Sequence, residues 1–261
     1  MRIISLASGS RGNATVVEHD GATLLIDCGL TCKSLLARFS EASGACAGRS
    51  APGPLAVLLT HSHADHTAGL RPLLGKRPEL AVYANAMTAE TVMSECRLDG
   101  DAFACFENAQ PFDVGPFEVV AFSIPHDTSD PVGYLVRAGG VTYFHGTDIG
   151  TPLDSIGEML AEADCATLES NHDPALLYAC GRPRSVIQRI AGPRGHLSND
   201  QSAELVRRFA SPKLKRLGLA HLSRDCNVPH VAEDTMRATL AEMRRADISL
   251  RVYSQDSVVE L

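Results

Sequence analysis

The sequence predicts an α+β protein whose short strands fall into two groups, with helices beside each group. Apolar and alternating runs of strand length gather before residue 85 and again after residue 110. Segments with apolar residues at helical spacing separate many of these runs. The chain has 261 residues, of which 44% are hydrophobic and 21% charged, and this balance suits a single domain over residues 1–261 with a sizeable core.

The first group of strands opens with a hairpin whose connection holds Gly9, Gly12 and Asn13. Such a loop can approach a ligand with bare backbone, so anion contact and plain turn chemistry both remain open. The predicted strands are Arg2–Ala7, Ala14–Glu18, Ala22–Ile26, Leu55–Leu59 and Ala81–Tyr83, and the predicted helices are Thr31–Ala42, Thr67–Leu74 and Ala86–Cys96. Gly44–Pro54 is predicted to be a loop, and Arg97–Asn108 carries no clear pattern.

The second group of strands begins near residue 110 and alternates with helices towards the end of the chain. Ser198 and Gln201 have the spacing of a capping box, which predicts that a helix begins there and runs to Ala210. The predicted strands are Phe117–Phe122, Val132–Val136, Val141–Phe144, Cys165–Leu168, Arg216–Ala220 and Ile248–Tyr253, and the other helices are Pro152–Ala163, Pro174–Ala179, Arg184–Ile190 and one that begins at Pro229.

A His-x-His-x-Asp-His cluster at residues 61–66 follows the apolar run Leu55–Leu59 directly. Burying three imidazoles and a carboxylate is costly unless each finds a polar partner, and a metal can supply that partner. His61 and His63 point the same way while the backbone is extended, whereas Asp65 and His66 lie past the bend and can face a second centre. The cluster therefore predicts two metals, against the alternative of a surface loop that happens to hold histidines.

The cluster and the phrases around it resemble the metallo-β-lactamase superfamily, and within it the YycJ/WalJ-type exonuclease branch. The resemblance implies a four-layer αββα sandwich with two mixed β-sheets, which agrees with the two groups of strands. The order of the matching phrases and their even spread along the chain are hard to obtain by chance. The phrases are Ser5–Ala14, Leu25–Gly29, residues 61–66, Pro125–Asp127, Thr147–Gly150, Glu169–Asp173, Gly195–Asn199 and Ala220–Ser223.

The resemblance also implies which side chains hold the two metals, with Asp148 bridging them. One metal would be held by His61, His63, His126 and Asp148, and the other by Asp65, His66, Asp148 and His221. Asp27 would hydrogen-bond a ligand and so fix its ring, although a turn or a helix cap is the alternative for it. The ligands are nitrogen and oxygen only, which suits Zn²⁺ or Mn²⁺ equally.

Two such ions can activate water and neutralise charge on an attacked phosphoryl or carbonyl group, which is hydrolysis without a protein nucleophile. His196 matches the position of an extra histidine in the superfamily's phosphodiesterases and could protonate the leaving oxygen, or could only form the turn before a helix. His172 could orient a phosphate or cap the helix at Pro174. We expect Asp65 to take part in catalysis as well as to bind a metal.

Charge gives two indications about the substrate. The formal net charge of −7 argues against a general nucleic-acid binder. Between Arg182 and Arg216, however, nine basic residues stand against two acidic ones, and this block contains His196. We therefore expect Arg182, Arg184 and Arg194 to bind nucleic acid, DNA rather than RNA, with a solvated helix face as the alternative for about half of the block.

Together these observations predict a dinuclear metal-dependent hydrolase of phosphodiester bonds, most simply a 5′-to-3′ DNA exonuclease. The alternatives are a small-molecule hydrolase acting on a thioester, lactone or cyclic phosphodiester, and a non-catalytic metal-binding regulator. The eight cysteines contain no Cys-x-x-Cys pair, which favours reduced thiols in a cytoplasmic protein without a third, structural zinc. No apolar run approaches membrane-spanning length. The oligomeric state stays open.

Overall fold

The computed structural model describes residues 1–43 and 54–261. Its first β-sheet has seven strands and contains both antiparallel and parallel pairs. Strand β14 pairs antiparallel with β1, and β1, β2 and β3 form an antiparallel meander. From β3 onwards, β4, β5 and β6 add in parallel. These strands are β1 (Arg2–Ala7), β2 (Ala14–His19), β3 (Ala22–Ile26), β4 (Ala56–Leu58), β5 (Ala81–Asn85), β6 (Phe103–Phe106) and β14 (Val259–Glu260).

The second sheet is mixed as well, with the order β13-β12-β11-β10-β9-β8-β7. Its antiparallel half runs from β7 to β10, and its parallel half runs from β10 to β13. These strands are β7 (Pro111–Val114), β8 (Phe117–Ser123), β9 (Val132–Ala138), β10 (Val141–Gly146), β11 (Cys165–Glu169), β12 (Arg216–Ala220) and β13 (Ser249–Val252). The two sheets are therefore alike in plan, each half antiparallel and half parallel.

Helices cover the outer face of each sheet. The α-helices of the described residues are α1 (Cys32–Ala42), α2 (Ala64–Thr67), α3 (Leu70–Lys76), α4 (Ala86–Cys96), α5 (Asp154–Ala161), α6 (Pro174–Ala179), α7 (Arg184–Ile190), α8 (Asn199–Phe209) and α9 (Pro229–Glu242). One apolar cluster joins the first sheet to α1, α3 and α4, and another joins the second sheet to α5, α8 and α9. A third cluster fills the space between the sheets.

Alternation along β1 shows how the sequence builds these layers. Ile3 packs between the two sheets, whereas Ile4 and Leu6 pack under the helices, so both faces of the strand are buried. A strand buried on both faces reads as a nearly continuous apolar run, which is the pattern that the sequence shows here. The predicted four-layer αββα sandwich with two mixed sheets is confirmed.

One predicted helix differs from the structure, and short strands at the sheet edges were not predicted. The predicted helix Thr67–Leu74 is in fact split into α2 and α3, because the N–H of Gly69 donates to the carbonyl of Cys28 at 2.8 Å instead of continuing the helix. The stretch Arg97–Asn108, which carried no pattern, contains β6. The short strand β14 at the other edge was also missed.

Two further expectations concern the loop and the thiols. The predicted loop Gly44–Pro54 lies outside the described residues except for Pro54, and Cys46 lies outside them too. The other seven cysteines are free thiols, in agreement with the expected reduced state. Within residues 1–43 and 54–261, no helix has both the length and the apolar character that crossing a membrane requires.

Candidate metal centre

The polar residues singled out by the sequence meet where strands of both sheets end. Asp27 follows β3, Asp148 follows β10 and His221 follows β12, and each has the left-handed backbone that ordinary residues avoid, with φ of 62°, 61° and 56°. Such strained positions are held only where the surrounding structure imposes them, and they cluster at functional sites. The sharp turn at each strand exit brings the side chain back over the end of the sheet.

The first group of donors consists of His61, His63 and His126. The Nε2 atom of His61 and the Nε2 atom of His126 lie 3.1 and 3.3 Å from Nδ1 of His63. Burial lowers the pKa of His61 well below its usual value and also lowers the pKa of His126. Two of the three rings are therefore neutral near pH 7, the form in which imidazole binds metals.

Hydrogen bonds determine which nitrogen of these rings has the free lone pair. The hydroxyl of Thr60 donates to Asp27, so Nδ1–H of His61, 3.0 Å away, donates to that hydroxyl. Nδ1–H of His126 donates to the carbonyl of Gly195 at 3.1 Å. The Nε2 lone pairs of both rings consequently point at the same space.

The second group consists of Asp65, His66 and His221. The Nε2 atoms of His66 and His221 lie 3.7 and 3.6 Å from Oδ2 of Asp65. Nδ1–H of His66 donates to Asp27 at 2.7 Å, and Nδ1–H of His221 donates to Glu169 at 2.9 Å. A carboxylate behind each ring fixes its orientation and turns Nε2 towards Asp65, as in many metal sites.

Asp148 stands between the two groups. One carboxylate oxygen lies 3.7 Å from Nε2 of His126, and the other lies 3.3 Å from Nε2 of His66. Burial by itself raises the pKa of Asp148, but His221 and His66 outweigh burial and hold the pKa well below its usual value. Asp148 is therefore ionised, and its carboxylate lies between histidines of both groups.

Two buried atoms show that this cluster fits a divalent metal. Oδ2 of Asp148 and Nε2 of His221 are fully buried, and neither has a hydrogen-bond partner. Buried polar atoms without a partner are rare and need an explanation. A divalent cation between these imidazoles and carboxylates would satisfy both atoms, and the nitrogen and oxygen donors are those that such cations bind.

Glu169 is the functional residue that the sequence analysis missed. It is completely buried at the end of β11, and its Oε1 atom accepts hydrogen bonds from Nδ1–H of both His196 and His221, each at 2.9 Å. Burial raises its pKa, but His196 and the hydrogen bonds outweigh burial and lower the pKa to about 2. Its position at a strand exit is the signal that could have identified it.

His196 borders both donor groups. The centre of its ring lies 5.2 Å from that of His126 and 5.1 Å from that of His221, and its side chain is 17% exposed. Because Nδ1–H donates to Glu169, the Nε2 atom of His196 remains available for a proton transfer. The ring of His196, which the sequence analysis predicts to be catalytic, is therefore partly accessible to a substrate.

The sequence left open whether His172 caps α6 or orients a phosphate. Asp173, not His172, caps α6, since its carboxylate accepts the N–H of Leu176 at 2.9 Å. His172 is buried, burial lowers its pKa, and its Nδ1 atom has no hydrogen-bond partner. Thr31 caps α1, so Asp27 is not the cap of that helix.

The glycine-bearing loop packs behind the second donor group. The amide of Asn13 lies 3.0 Å from Nε2 of His66, and its side-chain oxygen accepts the N–H of Gly9 at 2.8 Å. The hydroxyl of Ser8 accepts the N–H of His221 at 2.7 Å. These polar groups are used within the protein, so the contacts of this loop agree with turn chemistry rather than anion contact.

The basic block does not surround His196 as a whole. Arg182 forms an ion pair with Asp225, whereas Arg184 and Arg194 are exposed and form no ion pair among the described residues. In the second half of the block, Arg207, Arg208 and Lys215 pair with acidic residues. Lys215 precedes β12, whose five residues span about 16 Å before His221, so this half lies far from the centre.

Comparison with known proteins identifies relatives along nearly the whole chain. Residues 22–221 match the family model of a beta-lactamase superfamily domain. The chain is 30% identical to exodeoxyribonuclease WalJ of Streptococcus pneumoniae over 250 residues, 95% of this chain and 90% of that protein. It is 31% identical to exodeoxyribonuclease YycJ of Bacillus anthracis over 240 residues, 91% of this chain and 88% of that protein.

A solved structure shows the same fold. The metallo-beta-lactamase fold protein YhfI from Bacillus subtilis superimposes with a TM-score of 0.70 and 18% identity, and the match covers 100% of both chains. At this identity the likeness concerns the fold alone.

We expect Glu169→Ala to lower the affinity for a divalent metal by about 10–100-fold, because the rings of His196 and His221 lose the carboxylate that orients them. Calorimetric titration with Mn²⁺ measures this affinity. Asp173→Ala is the matched control, since it removes a nearby carboxylate that caps α6 and touches neither ring. Equal affinities of Glu169→Ala and the wild type would contradict the orienting role.

Proposed function

The chain belongs to the beta-lactamase superfamily, and we propose that it is a metal-dependent hydrolase of phosphodiester bonds that removes nucleotides from the 5′ end of DNA. The observation that carries this proposal is the pair of donor groups that share Asp148, in a chain 30% identical over 95% of its length to an exodeoxyribonuclease. The direction of attack rests on the family resemblance alone.

In this proposal two divalent ions occupy the centre, either Zn²⁺ or Mn²⁺. His61, His63 and His126 would hold one ion, Asp65, His66 and His221 would hold the other, and Asp148 would contribute to both sites. When bound, the two ions supply a nucleophile from water at neutral pH and neutralise charge on the attacked phosphoryl group. The neutral rings of His61 and His126 and the oriented rings of His66 and His221 support this assignment.

His196 is the proposed acid for the leaving group. Its Nδ1–H donates to Glu169, so the ring is held with Nε2 towards the open side of the centre. When protonated, Nε2 transfers its proton to the alcohol oxygen that leaves as the phosphodiester bond breaks. The buried carboxylate of Glu169 stabilises the charged ring before the transfer.

The proposed contacts to DNA lie beside this acid. In this proposal His172 orients the phosphate, and Arg182, Arg184 and Arg194 bind the backbone. Arg184 and Arg194 are exposed without an acidic partner among the described residues, so they can bind phosphate without first breaking an ion pair. Arg182 has to exchange Asp225 for phosphate.

We expect His196→Ala to keep its metals and to lose turnover by about 10²–10⁴-fold, the usual contribution of a general acid. Elemental analysis and kcat on DNA measure the two quantities separately. His230→Ala, a histidine at the exposed start of α9, is the control and should behave as the wild type. A loss of activity in His196→Ala that follows a loss of metal would make His196 a ligand instead.

Replacing Arg182, Arg184 and Arg194 together by alanine should weaken DNA binding and flatten its salt dependence, because fewer counterions are released on binding. The assay is a 5′-labelled duplex in Mn²⁺ at several salt concentrations, in which the wild type releases 5′-terminal nucleotides first. The matched control replaces Arg207, Arg208 and Lys215, which belong to the same basic block but pair with acids.

Three results would contradict this account. First cleavage at internal positions would make the protein an endonuclease, and equal losses in the two triple variants would exclude the assigned DNA contacts. Hydrolysis of a thioester or lactone without hydrolysis of DNA, and without dependence on salt, would favour the small-molecule alternative.

A further inference from the structure

An open cleft of about 680 Å³ adjoins the first donor group. Its walls come from the loop after β4, the loop between β8 and β9, helix α4 and the segment before α8. The residues that define its character are Ser62, His63, Met87, Glu95, Asp130 and Arg194. Its volume lies within the usual range for pockets that take one small ligand. Because His63 forms part of the wall, whatever occupies this cleft lies beside the reacting centre.

The charges of the cleft change along its length. Arg194 is the basic residue in its wall, whereas Glu95, Asp127 and Asp130 are acidic. Arg189 neutralises Asp127, but Glu95 is exposed and has no ion pair among the described residues. A DNA backbone carries one phosphate per nucleotide and needs cationic partners. The cleft therefore suits a phosphate near Arg194 and disfavours further phosphates beside Glu95 and Asp130.

The rest of the wall suits a nucleoside. Met87 lies on α4 with 54% of its surface exposed, although most large apolar side chains are buried. Its thioether can pack against the edge or face of an aromatic ring such as a base. The hydroxyl of Thr128, which is partly exposed and is hydrogen-bonded to the buried hydroxyl of Ser62 at 2.9 Å, can bond a sugar. An apolar contact, a hydroxyl and a single cation together match one nucleotide.

We propose that this cleft receives the terminal nucleotide of the DNA, and that Glu95 and Asp130 prevent a longer strand from passing through it. The inference rests on the proposed function and explains why hydrolysis begins at an end. A strand that continued past the centre would bring its next phosphate against Glu95 and Asp130, whose carboxylates form no ion pair within residues 1–43 and 54–261. A terminal nucleotide brings no such phosphate, so an end fits where an internal segment does not.

The test is charge reversal in the cleft by Glu95→Lys. We expect this variant to release dinucleotides and longer fragments from a 5′-labelled strand and to cut circular single-stranded DNA about tenfold faster than the wild type, since a repulsive charge beside the phosphate becomes attractive. Glu90→Lys is the matched control, because Glu90 is exposed on the same helix and lies outside the cleft. It should release mononucleotides and cut circles no faster than the wild type does.

Metal content and thermal unfolding show whether Glu95→Lys is folded, and Glu95→Gln provides a milder change with the same expected direction. Product lengths and circle cleavage identical in Glu95→Lys, Glu95→Gln, Glu90→Lys and the wild type would overturn the role of the cleft while leaving the exonuclease assignment intact. A wild type that hydrolyses no DNA at all would overturn the proposed function, and the cleft proposal with it.

Discussion

The buried carboxylate of Asp148 is the interaction on which the rest of the site depends. A single charge in the interior is costly, and Asp148 is tolerated there because His66, His126 and His221 surround it. These histidines come from a helix after β4, from the loop after β8 and from the end of β12. Both sheets must therefore pack in register before the charge has its partners, which links the assembly of the fold to the assembly of the site.

Two further carboxylates extend this network, one from each sheet. Asp27 follows a strand of the first sheet and holds His66, while Glu169 ends a strand of the second sheet and holds His196 and His221. Each is nearly or fully buried, so neither can reorient without losing its hydrogen bonds. The Nε2 atoms of these histidines are consequently oriented before any ligand binds. A preorganised site of this kind binds and reacts without the cost of rearrangement.

The sequence predicted the parts of this structure that depend on local patterns. The His-x-His-x-Asp-His cluster after an apolar run located the donors, and the order of the motifs identified the superfamily, which the family match confirms. The role of Glu169 was not predicted because its two histidine partners are 27 and 52 residues away in the sequence. The edge strands β6 and β14 are four and two residues long and owe their structure to pairing with distant strands. The ion pairs of the basic block could not be predicted for the same reason, since the acids that pair with Arg182, Arg207 and Lys215 come from other segments.

The central claim is that Asp148 joins two metal ions in one centre, and electron paramagnetic resonance of the protein loaded with two equivalents of Mn²⁺ tests it directly. Two ions that share a carboxylate are magnetically coupled, so the wild type should give the many-line spectrum of a coupled pair. Asp148→Ala should give only the six-line signal of isolated Mn²⁺, with fewer ions bound. A six-line spectrum from the fully loaded wild type, or an unchanged coupled spectrum from Asp148→Ala, would contradict the account.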